Sequence, residues 1–384
     1  MNEFRYTGTA QEIIFGRGML SHLGEAVERF GWRRLLLCSG GSLRRNGTVA
    51  TIESMLGERL VATYEGIQTH VPDFQVAGAL ALAKQHDIDA VIGLGGGSPI
   101  GLAKAVSFSF EEERSAQPAR EVPGGEQPLV PSIAIPTTYA GSEMTPVYGI
   151  TRQEGDVARK VTVSDSRITP RLVIYDPLLT LDLPPEATAS TGINGLAHCI
   201  EALYSVTRNP LATSAAIGGI SSIMSALPRC YQAGDDLTAR SEMLVGAYLA
   251  GTALAHVSMA LHHGLCHVLG GTAGVPHGIA NAIILPHAMR FNLEATAPQL
   301  VLAAAAMGIT LSGRSAGAAV SEAIEKIYAL ISQMRLPQRL RDVGVREADL
   351  PRLAELAFQS RTVQNNPRPI TSTAQLEDLL HSAW

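Results

Sequence analysis

Residues 90–106 read Ala90-Val91-Ile92-Gly93-Leu94-Gly95-Gly96-Gly97-Ser98-Pro99-Ile100-Gly101-Leu102-Ala103-Lys104-Ala105-Val106. An aliphatic run that meets three glycines and continues into an Ala- and Leu-rich stretch predicts a strand, a loop and a helix in that order. Ser98 suits the cap of that helix, and Pro99 suits its first turn, where no amide donor is required. The glycines let the backbone come close to a phosphate, and the helix amino terminus turns N–H groups and the positive end of its dipole toward it. The pattern is neither GxGxxG nor a P-loop. Alone it reads as an anion site, or as a glycine turn with no ligand.

Working outward, Leu35-Leu36-Leu37-Cys38, the helical pattern of 75–86, Ser132-Ile133-Ala134-Ile135-Pro136 and Leu172-Val173-Ile174-Tyr175 alternate in the manner of a parallel α/β sheet. Pro177 ends the last of these strands, because proline cannot continue a ladder. From Leu181 onward the chain becomes rich in Ala, Leu and Met at helical spacing. The expected fold is a Rossmann-like dinucleotide-binding α/β domain over 1–180 and an all-helical catalytic domain over 181–384. Residues 111–127 combine charge, proline and glycine, and are expected to form a surface loop.

A chain of 384 residues supports two domains of ordinary size. Hydrophobic residues make up 46% and charged residues 17%, a globular composition. The net charge of −5, with no basic run longer than a pair, excludes a nucleic-acid footprint. No apolar stretch reaches the roughly 20 residues of a membrane span, and the N-terminal residues lack the pattern of a signal peptide, so a cytoplasmic protein without membrane contact is expected. Cys38, Cys199, Cys230 and Cys266 form no CxxC pair, which suits buried thiols in a reducing compartment.

After the strand at 132–136 comes Thr137-Thr138-Tyr139-Ala140-Gly141-Ser142-Glu143, whose hydroxyls and glycine suit phosphate and ribose at a sheet edge. In the helical half, Asn194 and His198 lie four apart with Glu201 nearby; His263 and His267 repeat that spacing, and His277 follows. Spacings of four put each pair on one helix face, so the imidazoles can converge if the helices pack.

These stretches resemble the iron-containing alcohol dehydrogenase superfamily, whose fold is related to dehydroquinate synthase. Gly95-Gly96-Gly97-Ser98 with Ala103-Lys104 resembles its cofactor loop, and Ile14-Phe15-Gly16-Arg17-Gly18, His70-Val71-Pro72, Tyr175-Asp176-Pro177, Pro286-His287 and Asn366-Pro367-Arg368-Pro369 extend the likeness along the chain. Gly101, where the alcohol dehydrogenases usually have Asp, and the Tyr139-Ala140-Gly141-Ser142-Glu143 form are similar to the maleylacetate reductase branch. The resemblance implies NADH or NADPH as cofactor, with Ser39, Gly95, Gly96, Gly97, Ser98, Thr137, Thr138, Ser142 and Lys160 near it, and a homodimer. It places Asn194, His198, His263 and His277 where the superfamily holds a divalent metal with an Asp and three histidines. A neutral amide is a weak ligand for such a cation, so no tightly bound metal is expected.

Without a metal, the substrate has to be activated already, as the enone of maleylacetate is. The expected reaction is NAD(P)H-dependent reduction of that C=C bond to 3-oxoadipate, a step of aromatic-compound degradation. His198, His263, His277 and Tyr139 are the candidate donors to the enolate oxygen, and His263 or His267 the proton donor to carbon. Arg290, Arg361 and Arg368 are candidate partners for a dicarboxylate substrate, and Arg44 and Arg45 either attract a 2′-phosphate or form a solvated pair. Two departures bear on the substrate: Gly264 stands where maleylacetate reductases typically have Lys, and Pro276-His277-Gly278 resembles the alcohol dehydrogenase form. The alternatives are a metal-dependent alcohol dehydrogenase or oxo-acid reductase, a lyase of the dehydroquinate synthase kind, and a cofactor-binding protein without activity.

Overall fold

A computed structural model of the chain describes residues 4, 6–8, 10–68, 71–116, 129–154 and 157–384. They divide into two compact units. One comprises Thr7–Thr138 and Ser142–Asp182; the other comprises Tyr139–Gly141 and Leu183–Trp384, with Tyr6.

In the first unit the strands are β1 (Glu12–Phe15), β2 (Leu35–Ser39), β3 (Leu60–Tyr64), β4 (Ala90–Gly95), β5 (Ser132–Pro136), β6 (Val147–Glu154), β7 (Val157–Ser164) and β8 (Leu172–Tyr175). Six of them form a parallel sheet in the order β1-β8-β5-β4-β2-β3, and β6 and β7 pair separately as an antiparallel hairpin. The helices are α1 (Leu23–Phe30), α2 (Gly41–Arg45), α3 (Thr48–Leu56), α4 (Asp73–Gln85) and α5 (Gly97–Ala116). Alternate residues of each strand serve opposite faces. Leu35, Leu37, Ile92 and Leu94 pack with Val27 of α1 and Ile52 of α3. Leu36, Cys38 and Val91 pack with Ala79 of α4, Leu102 and Val106 of α5, and Tyr148 of the hairpin. Burial on both faces explains the unbroken aliphatic runs that the sequence displays.

The chain leaves β2 for β3 on one side and returns to β4 on the other. The segments after β2 and β4 therefore diverge, and this reversal of direction is where doubly wound sheets bind ligands. Gly93 makes the approach of α5 possible: a Cβ there would lie 2.7 Å from Ile100 Cα and 3.0 Å from the Pro99 oxygen. Gly95, with φ +134°, holds a backbone conformation that disfavours any side chain.

The loop expected from residue 111 begins later, because α5 continues to Ala116. Glu111, fully buried, accepts the Leu129 N–H at 2.6 Å and faces Arg167 at 3.4 Å. A charge that looks like surface composition is in fact a satisfied interior group. Residues 117–128 of that loop, and His70, lie outside the described residues.

The second unit holds α6 (Pro185–Tyr204), α7 (Pro210–Gln232), α8 (Leu237–Ala255), α9 (Leu261–Ala273), α10 (His277–Ala306), α11 (Ala316–Gln333), α12 (Leu350–Phe358), α13 (Arg361–Gln364) and α14 (Thr373–Ala383). Small residues bring the helices close: a Cβ at Gly219 of α7 would meet Cys199 Sγ at 2.6 Å, and one at Gly246 of α8 would meet Ile223 at 2.7 Å. Among the described residues, α7 alone is long and apolar enough, by length and composition, to cross a membrane. Its apolar content is spread through Gly, Ala and Ser rather than concentrated in a run, and Ala216, Ile220 and Ile223 are buried against protein. All four cysteines are buried and unpaired.

Gly93→Ala is expected to destabilise the chain by about 1–3 kcal/mol, because the added methyl meets backbone, which cannot rotate away. Denaturant midpoints of the variant and the parent measure it, and equal midpoints contradict the close β4–α5 contact.

Candidate active site

In the α/β unit, the cofactor candidates collect at the carboxyl ends of β2, β4 and β5. The Thr137 N–H donates to the Gly95 oxygen at 3.0 Å, and a Cβ on Gly96 would touch Thr138 Cγ2 at 3.2 Å. Ser142 Oγ lies 3.7 Å from the corresponding point on Gly97, and it is buried with no hydrogen-bond partner among the described residues. A polar atom in that condition, beside a helix amino terminus, fits an anionic group. Ser39 stands beside Leu94 in the β2–β4 register, with its hydroxyl toward the Gly40 oxygen at 3.3 Å. Gly95, Gly96, Gly97, Ser98, Thr137, Thr138 and Ser142 are thus gathered at one end of the sheet, with Ser39 on the adjoining strand. Lys160 lies on β7 opposite Thr151, and its side chain is outside what the structure describes.

Arg44 has partners that the sequence reading did not anticipate. Its Nη1 and Nη2 each donate to Glu53 at 2.7 Å, and Nε donates to Glu65 at 2.6 Å. It already carries two carboxylates, so its role as a 2′-phosphate partner is withdrawn.

Lys104, from the helix that follows the glycine loop, has no solvent exposure. Its Nζ donates to the carbonyl oxygens of Ser142 at 2.5 Å, Thr145 at 2.8 Å and Val147 at 3.0 Å. Burial lowers its pKa to about 7, opposed by the Glu143 carboxylate. Three carbonyl acceptors require three N–H donors, which only the ammonium form has. Lys104 therefore ties down the segment that begins at Ser142, and Glu143, buried, accepts from the Tyr175 hydroxyl at 2.8 Å.

In the helical unit, α6 carries Asn194, His198 and Glu201, α9 carries His263 and His267, and α10 begins at His277. Gly278 lets α10 start against α6, since a Cβ there would lie 2.9 Å from Ser190 Cβ and 3.0 Å from the Ser190 oxygen. The rings of His198 and His263 stack at 4.5 Å; those of His263 and His277 lie 6.0 Å apart, His267 and His277 5.6 Å, and His263 and His267 6.3 Å. The four histidines expected to converge are adjacent. Asn194, His198 and His263 are buried, whereas His267 and His277 keep some exposure. Burial, then the nearby His263, pushes His198 well below its ordinary value, with Glu201 opposing. Among the described residues, Asn194 Oδ1 and His198 Nδ1 are buried without hydrogen-bond partners.

Tyr139 is placed differently from expectation. Its hydroxyl accepts from Arg240 Nη1 at 2.9 Å, and the same nitrogen donates to Thr188 Oγ1 at 3.0 Å while Arg240 Nε donates to the Gly234 oxygen at 2.9 Å. Both side chains are essentially without solvent contact. Tyr139 is corrected from an enolate donor to an anchor for a buried guanidinium. Arg290 and Arg368 also leave the candidate list. They line a hollow of about 440 Å³ with His287, Asp378 and Ser382. On α10, Arg290 follows His277 by thirteen residues, about 20 Å at the rise of a helix, and Arg368 donates to the oxygen of the next residue, Phe291.

Two residues of the cluster were given no role from the sequence: Glu201, noted there only as near Asn194 and His198, and His262. Glu201, with no exposure, accepts the backbone N–H groups of Ala260 at 3.1 Å, His262 at 3.2 Å and His263 at 3.3 Å, and pairs closely with His263 Nδ1. His262, equally buried, places Nε2 3.2 Å from the Asn281 oxygen. The signal for Glu201 was present: a carboxylate within an apolar helix requires donors.

Comparison with known proteins places these features in one family. Residues 10–177 match the family model described as iron-containing alcohol dehydrogenase, and residues 188–384 match its C-terminal counterpart, the Fe-containing alcohol dehydrogenase family, C-terminal. The chain is 36% identical over 384 residues to maleylacetate reductase 1 of Cupriavidus pinatubonensis, covering 100% of this chain and 98% of that protein. It is 37% identical to the maleylacetate reductase of Pseudomonas knackmussii, covering 97% and 95%. Among solved structures, maleylacetate reductase from Rhizobium sp. strain MTP-10005 superposes with TM-score 0.84 at 33% identity, covering 100% and 99%, and a 1,3-propanediol oxidoreductase with TM-score 0.88 at 31% identity, covering 100% of both chains. Matches that together span both units, and relatives of this identity over the full length, make this chain a member of the iron-containing alcohol dehydrogenase family.

Proposed function

We propose that the chain reduces the conjugated C=C bond of maleylacetate, or of a substituted maleylacetate, to the corresponding 3-oxoadipate with NADH or NADPH. The observation that carries this reading is the cluster of four histidines headed by a neutral Asn194, supported by full-length relatives named maleylacetate reductase.

The glycine loop Gly95–Gly97, Ser98, Thr137, Thr138 and Ser142 would hold the dinucleotide phosphates and ribose. When bound, the reduced nicotinamide supplies hydride. The chain's own residues have then to hold an enone, meet the charge that grows on its carbonyl oxygen, and deliver one proton to carbon. Imidazole N–H groups of His198, His263 and His277 are the donors to that oxygen. His267, partly exposed with its ring 5.6 Å from that of His277, would exchange a proton with solvent and pass it to carbon. A dicarboxylate substrate also wants a cation. Gly264, where maleylacetate reductases typically have Lys, packs so tightly on α13 that a Cβ would lie 2.4 Å from Val363 Cγ2. A lysine cannot enter there while Val363 stays, and Arg361, two residues before Val363, takes the role of carboxylate partner in this reading.

The donor set does not fit a tightly held divalent metal. Asn194 offers an amide oxygen in place of an anionic ligand, and the buried carboxylate nearby, Glu201, is already engaged by three backbone N–H groups and His263. Glu201, His262 and His263 do bring ligand atoms within 4.8 Å of one another, but those atoms bond to each other. The second reading, a metal-dependent alcohol dehydrogenase, draws on Pro276-His277-Gly278.

Three outcomes are expected. Purified protein oxidises NADH or NADPH when maleylacetate is added and produces 3-oxoadipate; turnover of simple aldehydes with none of maleylacetate contradicts the proposal. Elemental analysis finds iron and zinc well below one per chain, and Asn194→Asp raises the bound metal at least about tenfold by restoring an anionic ligand. Stoichiometric metal in the parent favours the second reading. Lys104→Met weakens NADH binding by about tenfold or more, read by fluorescence titration, because the ammonium that ties down the Ser142–Val147 segment is gone. Unchanged affinity separates that segment from the cofactor site.

A further inference from the structure

Glu201 stands three residues after His198 on α6, with no solvent exposure. Its Oε1 accepts from the N–H groups of Ala260 and His262 and from the Tyr204 hydroxyl at 3.3 Å, and Oε2 accepts from the N–H of His263. These donors come from the first turn of α9 and the residue before it, where a helix has N–H groups without intrahelical partners and the positive end of its dipole. Burial raises the Glu201 carboxyl, yet the charge on His263 and the bonds from His262 and His263 override it and hold the carboxyl well below the usual range.

An ionised carboxylate only accepts hydrogen bonds. His263 Nδ1, which pairs with Oε2, must therefore carry a proton. His262 Nε2 lies 3.2 Å from the Asn281 oxygen, and its Nδ1 lies 3.2 Å from His263 Nδ1. With a proton on Nδ1, the exchangeable atom of His263 is Nε2, on the side of the ring away from Glu201. Packing adds a second restraint, because the His263 ring stacks on His198 at a tilt of 16°.

We infer that Glu201 is the positioning residue of His263, fixing the Nδ1–H tautomer and supplying, from behind the ring, the negative charge that Asn194 does not supply beside it. Glu201 touches no substrate in this arrangement. Its charge favours the imidazolium form of His263, whose Nε2–H donates to the developing oxyanion; a proton given up there leaves the neutral Nδ1–H form, whose Nε2 accepts one back from solvent. The inference rests on the maleylacetate reading for the identity of the oxyanion, but the tautomer does not depend on the substrate.

Glu201→Gln and Glu201→Asp, with wild type, test it through three measurements: NADH affinity, the separate kcat and KM for maleylacetate, and long-range ¹H–¹⁵N correlation spectra of ¹⁵N-histidine-labelled protein, assigned with His263→Asn. In E201Q, kcat is expected to fall about 100-fold, with NADH affinity and KM within about threefold of wild type. E201D, which keeps the charge, is expected to recover at least about a tenth of the wild-type kcat. The wild-type spectrum is expected to show His263 protonated at Nδ1. A folded E201Q within about threefold of the wild-type kcat overturns the inference, as does E201D no faster than E201Q. If E201Q does not fold, the wild-type spectrum decides: a His263 ring protonated only at Nε2 overturns the assignment. If wild type does not turn over maleylacetate, the proposed substrate fails, and the spectrum still accepts or rejects the role of Glu201.

Discussion

Glu201 is a charge held in the interior of a helical unit, and the placement of the histidines follows from satisfying it. A lone carboxylate away from water would carry a cost of several kcal/mol, and here the start of α9 offsets that cost with three backbone N–H groups. Meeting that need sets the distance and rotation of α9 relative to α6. His263 then stacks on His198, and His267, one turn later, comes within reach of His277. The same contact that removes an electrostatic penalty thus assembles the rings.

The α/β unit solves a different problem, that of turning the chain from β4 straight into α5 while the sheet is covered on both faces. Gly93 lets α5 lie on β4, and Gly95 turns the chain where a side chain would be strained. Lys104 then gathers three carbonyl oxygens of the segment that begins at Ser142. These carbonyls would otherwise lie in the interior without donors.

Much of this was legible in the sequence. The run at 90–106 placed the strand, the glycine turn and the helix, and the spacings of four placed His263 and His267 on one helix face. What escaped was information about partners. Tyr139 reads as a phenol available for chemistry until Arg240, one hundred residues away in sequence, is found against it. Arg44 reads as an exposed cation until Glu53 and Glu65 are found holding it, and Glu111 as part of a polar loop until Leu129 and Arg167 appear. Hydrogen-bond satisfaction is a property of contacts distant along the chain, whereas periodicity is local, so the elements were readable and the polar pairings were not.

The anchoring of Arg240 by Tyr139 bears on how the chain can be divided. Tyr139–Gly141 belongs by contact with the helices, although it is flanked in sequence by β5 and β6 of the other unit. Gly141 sits 2.6 Å, by its missing Cβ, from the Ala247 oxygen of α8, and the Tyr139 N–H reaches Thr191 Oγ1 of α6 at 3.3 Å. The helical half is therefore not an independent module along the gene. A fragment cut after Asp182 would begin life with a fully enclosed guanidinium missing an acceptor and a groove between helices missing its filling. Recombination between relatives of this architecture would have to exchange residues 139–141 together with the carboxyl-terminal half to preserve both.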